Sequence, residues 1–153
     1  MPAASDVSDA ELERVLRDAG LKSTRPRLLV LRYLRESGGH HSADEITDAL
    51  TALDTSLQRG SVYNVLNKLE QRSLVTLADV GPGRALYESG SAWHHHFVCR
   101  QCDAVIDVPC VVGQKPCLDA DLRGALLDEA QIIFRGLCPA CARARERASA
   151  DTP

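Results

Sequence analysis

Residues 60–88 read GSVYNVLNKLEQRSLVTLADVGPGRALYE. In the first half of this stretch, apolar residues recur at i, i+3, i+4 and i+7, the spacing of one face of an α-helix. These residues are Val62, Val65, Leu66 and Leu69. The second half has short apolar runs on either side of Gly81-Pro82-Gly83, which predicts two strands joined by a turn. A helix followed by a hairpin is typical of the winged helix, a variant of the helix-turn-helix.

The sequence before this stretch predicts three further helices. Two of them begin with capping-box patterns, Ser8-Asp9-Ala10-Glu11 and Ser42-Ala43-Asp44-Glu45. Between these, Thr24 precedes Pro26, a residue favoured in the first helical turn, and Gly38-Gly39 ends the segment. We therefore predict that residues 1–89 form a winged-helix domain that binds DNA.

The sequence after Gly90-Ser91-Ala92 has a different periodicity. Short apolar runs that include His96-Phe97-Val98, Val105 to Val108 and Ile132-Ile133-Phe134 predict strands. Leu118, Leu122, Ala125 and Leu126 predict a short helix between them. We predict a small α/β domain over residues 90–145 and a flexible tail over residues 146–153.

Composition excludes several classes of protein. The chain has 153 residues, 44% of them hydrophobic, so it is long and apolar enough to form a packed core. No apolar run approaches the ~20 residues that span a bilayer, and the N-terminal residues lack the apolar core of a signal peptide. We therefore expect a cytoplasmic protein without a membrane partner, in which six cysteines serve metal binding or redox sensing rather than a disulfide scaffold.

The charge distribution leaves two interpretations open. The net charge of −3 does not indicate nucleic-acid binding. Between Asp18 and Glu36, however, every charged residue is basic. These residues are Lys22, Arg25, Arg27, Arg32 and Arg35. Such a stretch fits either a solvated helix face or a surface that contacts DNA phosphates.

Two C-x-x-C pairs predict a structural zinc site. The pairs are Cys99 with Cys102 and Cys138 with Cys141. Four thiolates favour tetrahedral zinc and leave no coordination position open for catalysis. The intervening stretch exceeds the usual zinc-ribbon spacing of ~15–20 residues, so a strand-helix-strand excursion must return the second pair to the first. The alternative is that Cys138-Pro139-Ala140-Cys141 is a redox pair of a thiol-disulfide oxidoreductase, which leaves the first pair unexplained.

Histidines and carboxylates provide ligands for a second, harder metal. On a strand, His94 and His96 share a face while His95 points to the other side. Asp107 follows on a neighbouring predicted strand, and His41 and Glu88 lie in the first domain. A site of nitrogen and oxygen ligands suits Fe(II) or Mn(II). Spacing along the chain does not by itself assemble this set.

Five motifs together resemble the ferric uptake regulator superfamily. They are TRPR at 24–27, HSADEI at 41–46, SVYNVL at 61–66, HHHFVCRQC at 94–102 and GLCPAC at 136–141. The resemblance runs from about Leu12 to Cys141 and implies a homodimeric winged-helix repressor with a C-terminal α/β dimerisation domain. It also implies that the regulatory metal is held by residues from both domains: His41, Glu88, His94, His96 and Asp107.

Particular positions indicate which branches of this superfamily the chain resembles. Asp107 is typical of peroxide-sensing members, where iron-uptake regulators have Glu, although peroxide regulators usually have Asp at the position of Glu88. Cys110 and Cys117 resemble cysteines of actinobacterial regulators of catalase-peroxidase genes, and are either redox-active or small buried apolar residues. Trp93 and Ala130 stand where histidines of a further metal site are often found, so we do not expect that site.

The resemblance also implies the residues that contact DNA. Tyr63 is expected to contact bases, against thymine methyl groups, with Ser61 on the same helix. The alternative for Tyr63 is a partly buried core aromatic. The other expected contacts come from flanking residues of this helix, from the basic stretch and from the wing. They are Arg59, Asn64, Asn67, Arg25, Arg27 and Arg84.

These observations predict a metal-dependent repressor that is not an enzyme. It is expected to bind a palindromic operator as a homodimer, with Zn(II) as the structural ion and Fe(II) or Mn(II) as the regulatory ion. Fe(II)-based peroxide sensing would then control oxidative-stress genes. Three alternatives remain open: an iron-uptake regulator, a thiol-switch redox repressor and a thiol-disulfide oxidoreductase.

Overall fold

Residues 7–81, 83–89, 94–113, 121–126 and 130–150 are described by the computed structural model. Contacts between residues divide the chain into a first unit, Met1–Ser91, and a second unit, Ala92–Pro153. The predicted domain boundary falls in residues outside the described ranges and stays a prediction.

The helices of the first unit begin where their capping residues predict. Helix α1 covers Asp9–Asp18, and the Ser8 side chain accepts a hydrogen bond from the backbone N–H of Glu11. Helix α2 covers Arg25–Ser37 and has Pro26 in its first turn. Helix α3 covers Ala43–Leu53 and has a complete capping box between Ser42 and Glu45. The caps of α1 and α3 satisfy backbone donors that these helices themselves leave unpaired, whereas Thr24 makes no side-chain capping hydrogen bond at the start of α2.

Helix α4 covers Arg59–Glu70, and its apolar stripe lies in the core as predicted. The side chains of Val62, Leu66 and Leu69 are fully buried and Val65 is nearly so. They join a single cluster with leucines, isoleucine and valines of the other three helices. Burial of one such side chain contributes about 1.5–3 kcal/mol to the free energy of folding, so this stripe fixes the orientation of α4.

A small antiparallel sheet completes the first unit. Its strands are β1, His41–Ser42, β2, Thr76–Asp79, and β3, Ala85–Glu88, in the order β1-β3-β2. The hairpin of β2 and β3 was predicted, but β2 begins at Thr76 because Leu74 and Val75 pack against the helices instead. Strand β1 was not predicted, and it pairs His41 with Tyr87 of β3. This pairing brings the end of α2 close to Glu88.

The second unit contains a mixed three-stranded sheet. Its strands are β4, His94–Cys99, β5, Val105–Pro109, and β6, Ile133–Gly136, in the order β5-β4-β6. Strand β5 is antiparallel to β4, and β6 is parallel to β4. Helix α5, Pro139–Ala150, follows β6, so the tail predicted to be flexible continues this helix as far as Ala150.

The helix predicted around Leu118 to Leu126 is not found where that segment is described. Leu118 lies outside the described residues, and residues 121–126 form a turn. Arg123 and Gly124 have φ angles of 49° and 84°, in the left-handed region that an α-helix of L-residues excludes. Within the described ranges, no helix is both long and apolar enough to cross a membrane.

Candidate metal centres and nucleic-acid interface

The two C-x-x-C pairs lie at the carboxyl ends of neighbouring parallel strands. Cys99 is the last residue of β4 and pairs with Gly136 at the end of β6. Arg100 donates its backbone N–H to the Gly136 carbonyl at 2.8 Å, which holds the turn after β4 beside the chain that leads to Cys138. Because the strands are parallel, both turns leave the sheet at the same edge.

This topology brings all four sulfur atoms together. The sulfur atoms of Cys99, Cys102, Cys138 and Cys141 lie within 4.8 Å of one another. Cys102 Sγ is 3.8 Å from Cys138 Sγ. With zinc–sulfur bonds of about 2.3 Å, two corners of a tetrahedron lie about 3.8 Å apart, so the cluster has the dimensions of a zinc site. A thiol-disulfide oxidoreductase needs only the two cysteines of one C-x-x-C pair, so that alternative would not require the two turns to lie together.

Electrostatics also favour a cation at the centre of this cluster. Backbone N–H groups of Cys138, Cys102 and Gln101 lower the pKa of the Cys99 thiol to about 6. The Cys141 thiol has the opposite shift: its hydrogen bond with Cys138 and its burial raise its pKa to about 12. Four thiolates this close repel one another strongly, and a divalent ion removes that repulsion. The donor set therefore fits zinc in chemistry as well as in size.

A second cluster, which we call the His–His–Asp cluster, lies on one face of the β4–β5 pair. His94 and His96 alternate with His95 along β4, and Asp107 of β5 pairs with His96. His94 Nε2 lies 3.1 Å from His96 Nε2 and 3.5 Å from an oxygen of Asp107. His95 points to the other face, where its ring contacts Phe134.

The spacing of the two imidazoles fits cis positions on a metal ion. At 3.1 Å, either one ring donates its Nε2–H to the other or both lone pairs face a shared cation. Two nitrogens bound at about 2.1 Å and at about 90° are about 3.0 Å apart. The His–His–Asp cluster thus supplies two nitrogens and one oxygen, a donor set for Fe(II) or Mn(II) rather than for a thiolate-bound ion.

In the first unit, the histidine beside Glu88 is His40 and not His41. His40 Nε2 lies 3.5 Å from Glu88 Oε2, and both side chains are buried. The Nε2 atom of His41 is 2.7 Å from the Gly38 carbonyl, and its ring packs edge-on against Tyr33. Adjacent residues of an extended segment point in opposite directions, so only one of them can face Glu88. The structure therefore places His40 beside Glu88, and not the predicted ligand His41.

The outward face of α4 carries the polar residues that the sequence predicted there. Tyr63 is 38% exposed, and Asn64 and Asn67 are exposed beside it. Ser61 is half-buried near the start of the helix. The alternative of Tyr63 as a core aromatic is therefore excluded, and the prediction of its helical phase is confirmed.

Two acids of α3 bind side chains on this face. Arg59 donates from Nη1 to Asp44 at 2.8 Å and from Nη2 to Asp48 at 2.5 Å. The Tyr63 hydroxyl donates to the same oxygen of Asp44 at 2.8 Å, and this hydrogen bond raises the pKa of Tyr63. Neither partner was predicted from the sequence, although the i, i+4 spacing of Asp44 and Asp48 on one helix face is a signal for them.

The basic stretch of α2 divides into two groups. Arg32 pairs with Asp9 and Glu36, and Arg35 pairs with Glu11, so these two arginines connect α2 to acids of α1 and of α2 itself. Arg25 and Arg27 lie near the start of α2. Arg84, the third predicted phosphate contact, lies in the hairpin turn before β3.

Arg25 and Arg27 also have partners within the chain. Arg25 donates to Asp54 at 2.7 Å, and Arg27 donates to the Lys22 carbonyl at 2.9 Å. Hydrogen bonds from Ser56 and Arg25 lower the pKa of Asp54 to about 2. The Arg25 side chain is 74% exposed and remains at the surface of the first unit, whereas Arg27 is half-buried.

The remaining predicted positions are only partly described. Cys110 is half-buried after β5 and accepts a hydrogen bond from the Gly113 N–H at 3.3 Å. Cys117 and Trp93 lie outside the described residues, and Ala130 has no ligand atom in its side chain. Both alternatives for Cys110 and Cys117, a redox role and a role as small buried apolar residues, therefore stay open.

Comparison with known proteins gives the same relationship as the motifs. The model of the ferric uptake regulator family matches residues 18–111. The transcriptional regulator FurA of Mycobacterium tuberculosis is 42% identical over 128 residues, which are 82% of this chain and 86% of FurA.

Solved structures of this family have the same fold. The structure of the ferric uptake regulator from Pseudomonas aeruginosa with manganese is 28% identical and has a TM-score of 0.64, covering 84% of this chain and 98% of that one. The Campylobacter jejuni peroxide stress regulator is 25% identical and has a TM-score of 0.58, covering 86% and 99%. The fold, the motifs and a family match over more than half of the chain agree, and this chain belongs to the ferric uptake regulator family of transcriptional regulators.

Proposed function

We propose that this chain is a metal-dependent repressor that senses peroxide through bound Fe(II) and controls oxidative-stress genes. The observation that carries the proposal is the pair of chemically different ligand clusters. The second unit has a cage of four thiols and, separately, a His–His–Asp cluster of nitrogen and oxygen donors. The first suits a permanent structural ion and the second an exchangeable regulatory ion.

The structural ion is zinc, held by Cys99, Cys102, Cys138 and Cys141. Because four thiolates close the coordination sphere, the ion has no position for a substrate, and we propose no catalytic role for this chain. The rival interpretation as a thiol-disulfide oxidoreductase is disfavoured, since it uses only one of two pairs whose sulfur atoms lie together.

The regulatory ion is Fe(II) or Mn(II). Its ligands are His94, His96 and Asp107 of the second unit and, as the family resemblance implies, Glu88 and a histidine of the first unit, here His40. Fe(II) bound there would activate hydrogen peroxide for reaction with its histidine ligands. The net reaction would insert one oxygen atom of peroxide into an imidazole C–H bond, so that the ring is oxidised by two electrons and the second oxygen leaves as water. We propose His40 and His94 as the rings that are oxidised.

The homodimer is supported by an apolar face of the second unit. Phe97 of β4 pairs with Ile106 of β5 and with Phe134 of β6, so the three side chains share one face of the sheet. Ile106 is 39% and Phe134 46% exposed, which is unusual for neighbouring large apolar residues in a monomer. We propose that a second copy of the chain covers this face.

The proposed ligand of the dimer is palindromic operator DNA. The exposed face of α4, with Ser61, Tyr63, Asn64 and Asn67, is the proposed base-reading surface, and Arg25, Arg27 and Arg84 are the proposed phosphate contacts. Arg59 flanks the same surface. Because the ligand is chromosomal DNA, the cytoplasmic location expected from the sequence follows from the proposal.

An iron-uptake regulator is the second candidate, because the relatives include proteins named for ferric uptake. Asp107 is the residue that favours peroxide sensing over it. A thiol switch is the third candidate and would use Cys110 and Cys117.

One experiment separates these candidates. The protein loaded with Mn(II) or Fe(II) is used to select operators from random DNA, and binding is then measured with and without hydrogen peroxide. Peroxide sensing predicts that only the Fe(II) form loses binding, with one oxygen added to the peptide of His40 or His94. If the Mn(II) and Fe(II) forms both remain bound to the operator in the presence of peroxide, the protein is an uptake regulator. Loss of binding in both forms, with a new disulfide and unmodified histidines, indicates the thiol switch.

A further inference from the structure

The contacts of Arg59 on the proposed DNA-binding face differ from those of an ordinary phosphate-binding arginine. Its two terminal nitrogens each bind a different carboxylate, Asp44 at 2.8 Å and Asp48 at 2.5 Å. All three side chains are more than half exposed. We call these three residues the acidic clamp. One guanidinium and two carboxylates give it a formal charge of −1, on a surface that is proposed to meet a polyanion.

The clamp contributes little to the stability of the fold. Exposed ion pairs are worth about 0–1 kcal/mol, because water and salt screen them and ordering two side chains costs entropy. The hydrophobic stripe of α4 already holds the helix against α3. An acidic pair at this position therefore needs a reason other than folding.

The clamp is linked to the proposed base-reading residue. Asp44 accepts the Tyr63 hydroxyl on the same oxygen that binds Arg59, so a single carboxylate orients both side chains. We call the clamp closed when Arg59 binds both carboxylates. In this state the charge of Arg59 is neutralised, and Asp44 accepts the hydrogen bond of the Tyr63 hydroxyl. If Arg59 swings to a DNA phosphate, it must leave both carboxylates, and these then face the same backbone.

We propose that Asp44 and Asp48 determine the specificity of this regulator by suppressing binding to DNA of unrelated sequence; the inference rests on the proposed function. Binding to unrelated DNA is driven by phosphate contacts and counterion release, which gain from every free cation. Binding to the operator is driven by base contacts of α4 and leaves the clamp closed. Asp44 and Asp48 thus weaken binding to unrelated DNA more than binding to the operator.

The test is the variant Asp48→Asn, because Asp48 contacts Arg59 and leaves the Tyr63–Asp44 bond intact. Affinities of the Mn(II)-loaded protein for a selected operator and for a duplex of unrelated sequence are measured over a range of salt concentrations. We expect affinity for unrelated DNA to rise about fivefold, the effect of one charge ~4 Å away in water. The operator affinity should change less than twofold. For unrelated DNA, the plot of log affinity against log salt concentration should become steeper by the amount expected for about one more phosphate contact.

Two controls separate this mechanism from a simple change of net charge. Asp121→Asn makes the same change in the second unit, and its two affinities should shift by the same small factor. In an Arg59→Gln background, Asp48→Asn should no longer raise the affinity for unrelated DNA. The inference is overturned if Asp48→Asn shifts both affinities equally, shifts neither, or acts without Arg59. A wild-type protein that binds no operator would instead overturn the proposed function.

Discussion

Zinc binding to the thiol cluster should depend steeply on pH, with the affinity falling as the solution becomes more acidic. A metal ion binds thiolates, so every thiol that carries a proton in the free protein must lose it. The pKa of Cys141 is raised to about 12, by its interaction with Cys138 and by burial. The thiol of Cys102 also has a raised pKa, which its contacts with Cys99 and Cys138 produce. Both groups are therefore protonated near neutral pH.

The expected magnitude follows from the number of protons displaced. Each proton changes the zinc affinity by about tenfold per pH unit, which corresponds to about 1.36 kcal/mol. Displacement of two protons predicts a change of at least about 100-fold, or roughly 2.7 kcal/mol, for each unit of pH between 8 and 7. Because the pKa of Cys99 is about 6, its proton also begins to compete with zinc near that pH, and the dependence becomes steeper. Zinc binding stabilises the folded second unit. The free energy of unfolding of the zinc-bound unit should therefore fall by the same amount as the pH is lowered.

The assay is competition with a chromogenic chelator at a series of pH values on the full-length protein. Calorimetric titration in buffers of different ionisation enthalpy counts the released protons independently. Cys110→Ser is the matched control, since Cys110 lies outside the cluster and its replacement should leave both the slope and the stoichiometry unchanged. Cys102→Ser should remove one of the displaced protons and weaken zinc binding.

If the zinc affinity changes by tenfold or less per pH unit, this reasoning is refuted. It would mean that the sulfur atoms are already ionised without the metal, and that their mutual repulsion is relieved by something other than zinc. A stoichiometry below one zinc per chain in the wild-type protein would contradict the assignment of the site itself.

The remaining predictions concern DNA, the regulatory metal and the core. Tyr63→Ala should weaken operator binding by about 1–3 kcal/mol and spare binding to unrelated DNA, and an unchanged footprint would contradict its base-reading role. His40→Ala should abolish Mn(II)-dependent operator binding while His41→Ala retains it; the reverse result would restore the prediction from the motif. Leu66→Ala, at a fully buried position, should lower the free energy of unfolding by about 2–5 kcal/mol in denaturant titration, and a smaller loss would mean that α4 is held by other contacts.

The two adjacent histidines, His40 and His41, differ in a way that the sequence alone does not determine. The family resemblance predicted that the segment around Ser42 supplies one metal ligand, and that prediction needed no coordinates. Which of His40 and His41 faces Glu88 depends on the pairing of β1 with β3, a contact between segments far apart in the chain. A displacement of one residue reverses the direction of a side chain in extended backbone, so the choice could not be made from spacing alone.

Over residues 121–126, where the structure describes it, the helix predicted between the two cysteine pairs is wrong for a different reason. Its four apolar residues had helical spacing, but two consecutive residues with positive φ interrupt the segment at Arg123 and Gly124. A periodic pattern is a weak signal when it is short, because a few contacts or one turn can override local preference.

Local physical chemistry, which depends only on neighbours along the chain, was readable from the amino acids. The capping residues of α1 and α3, the buried stripe of α4 with Tyr63 outside it, and two thiol pairs suited to zinc belong to this class. Tertiary structure was needed wherever distant segments meet. The parallel pairing of β4 with β6 brings the four sulfur atoms together, and the packing of α3 against α4 places Asp44 and Asp48 on Arg59. Helix periodicity is set by hydrogen bonds four residues apart, whereas these contacts depend on strand register and on how the core packs.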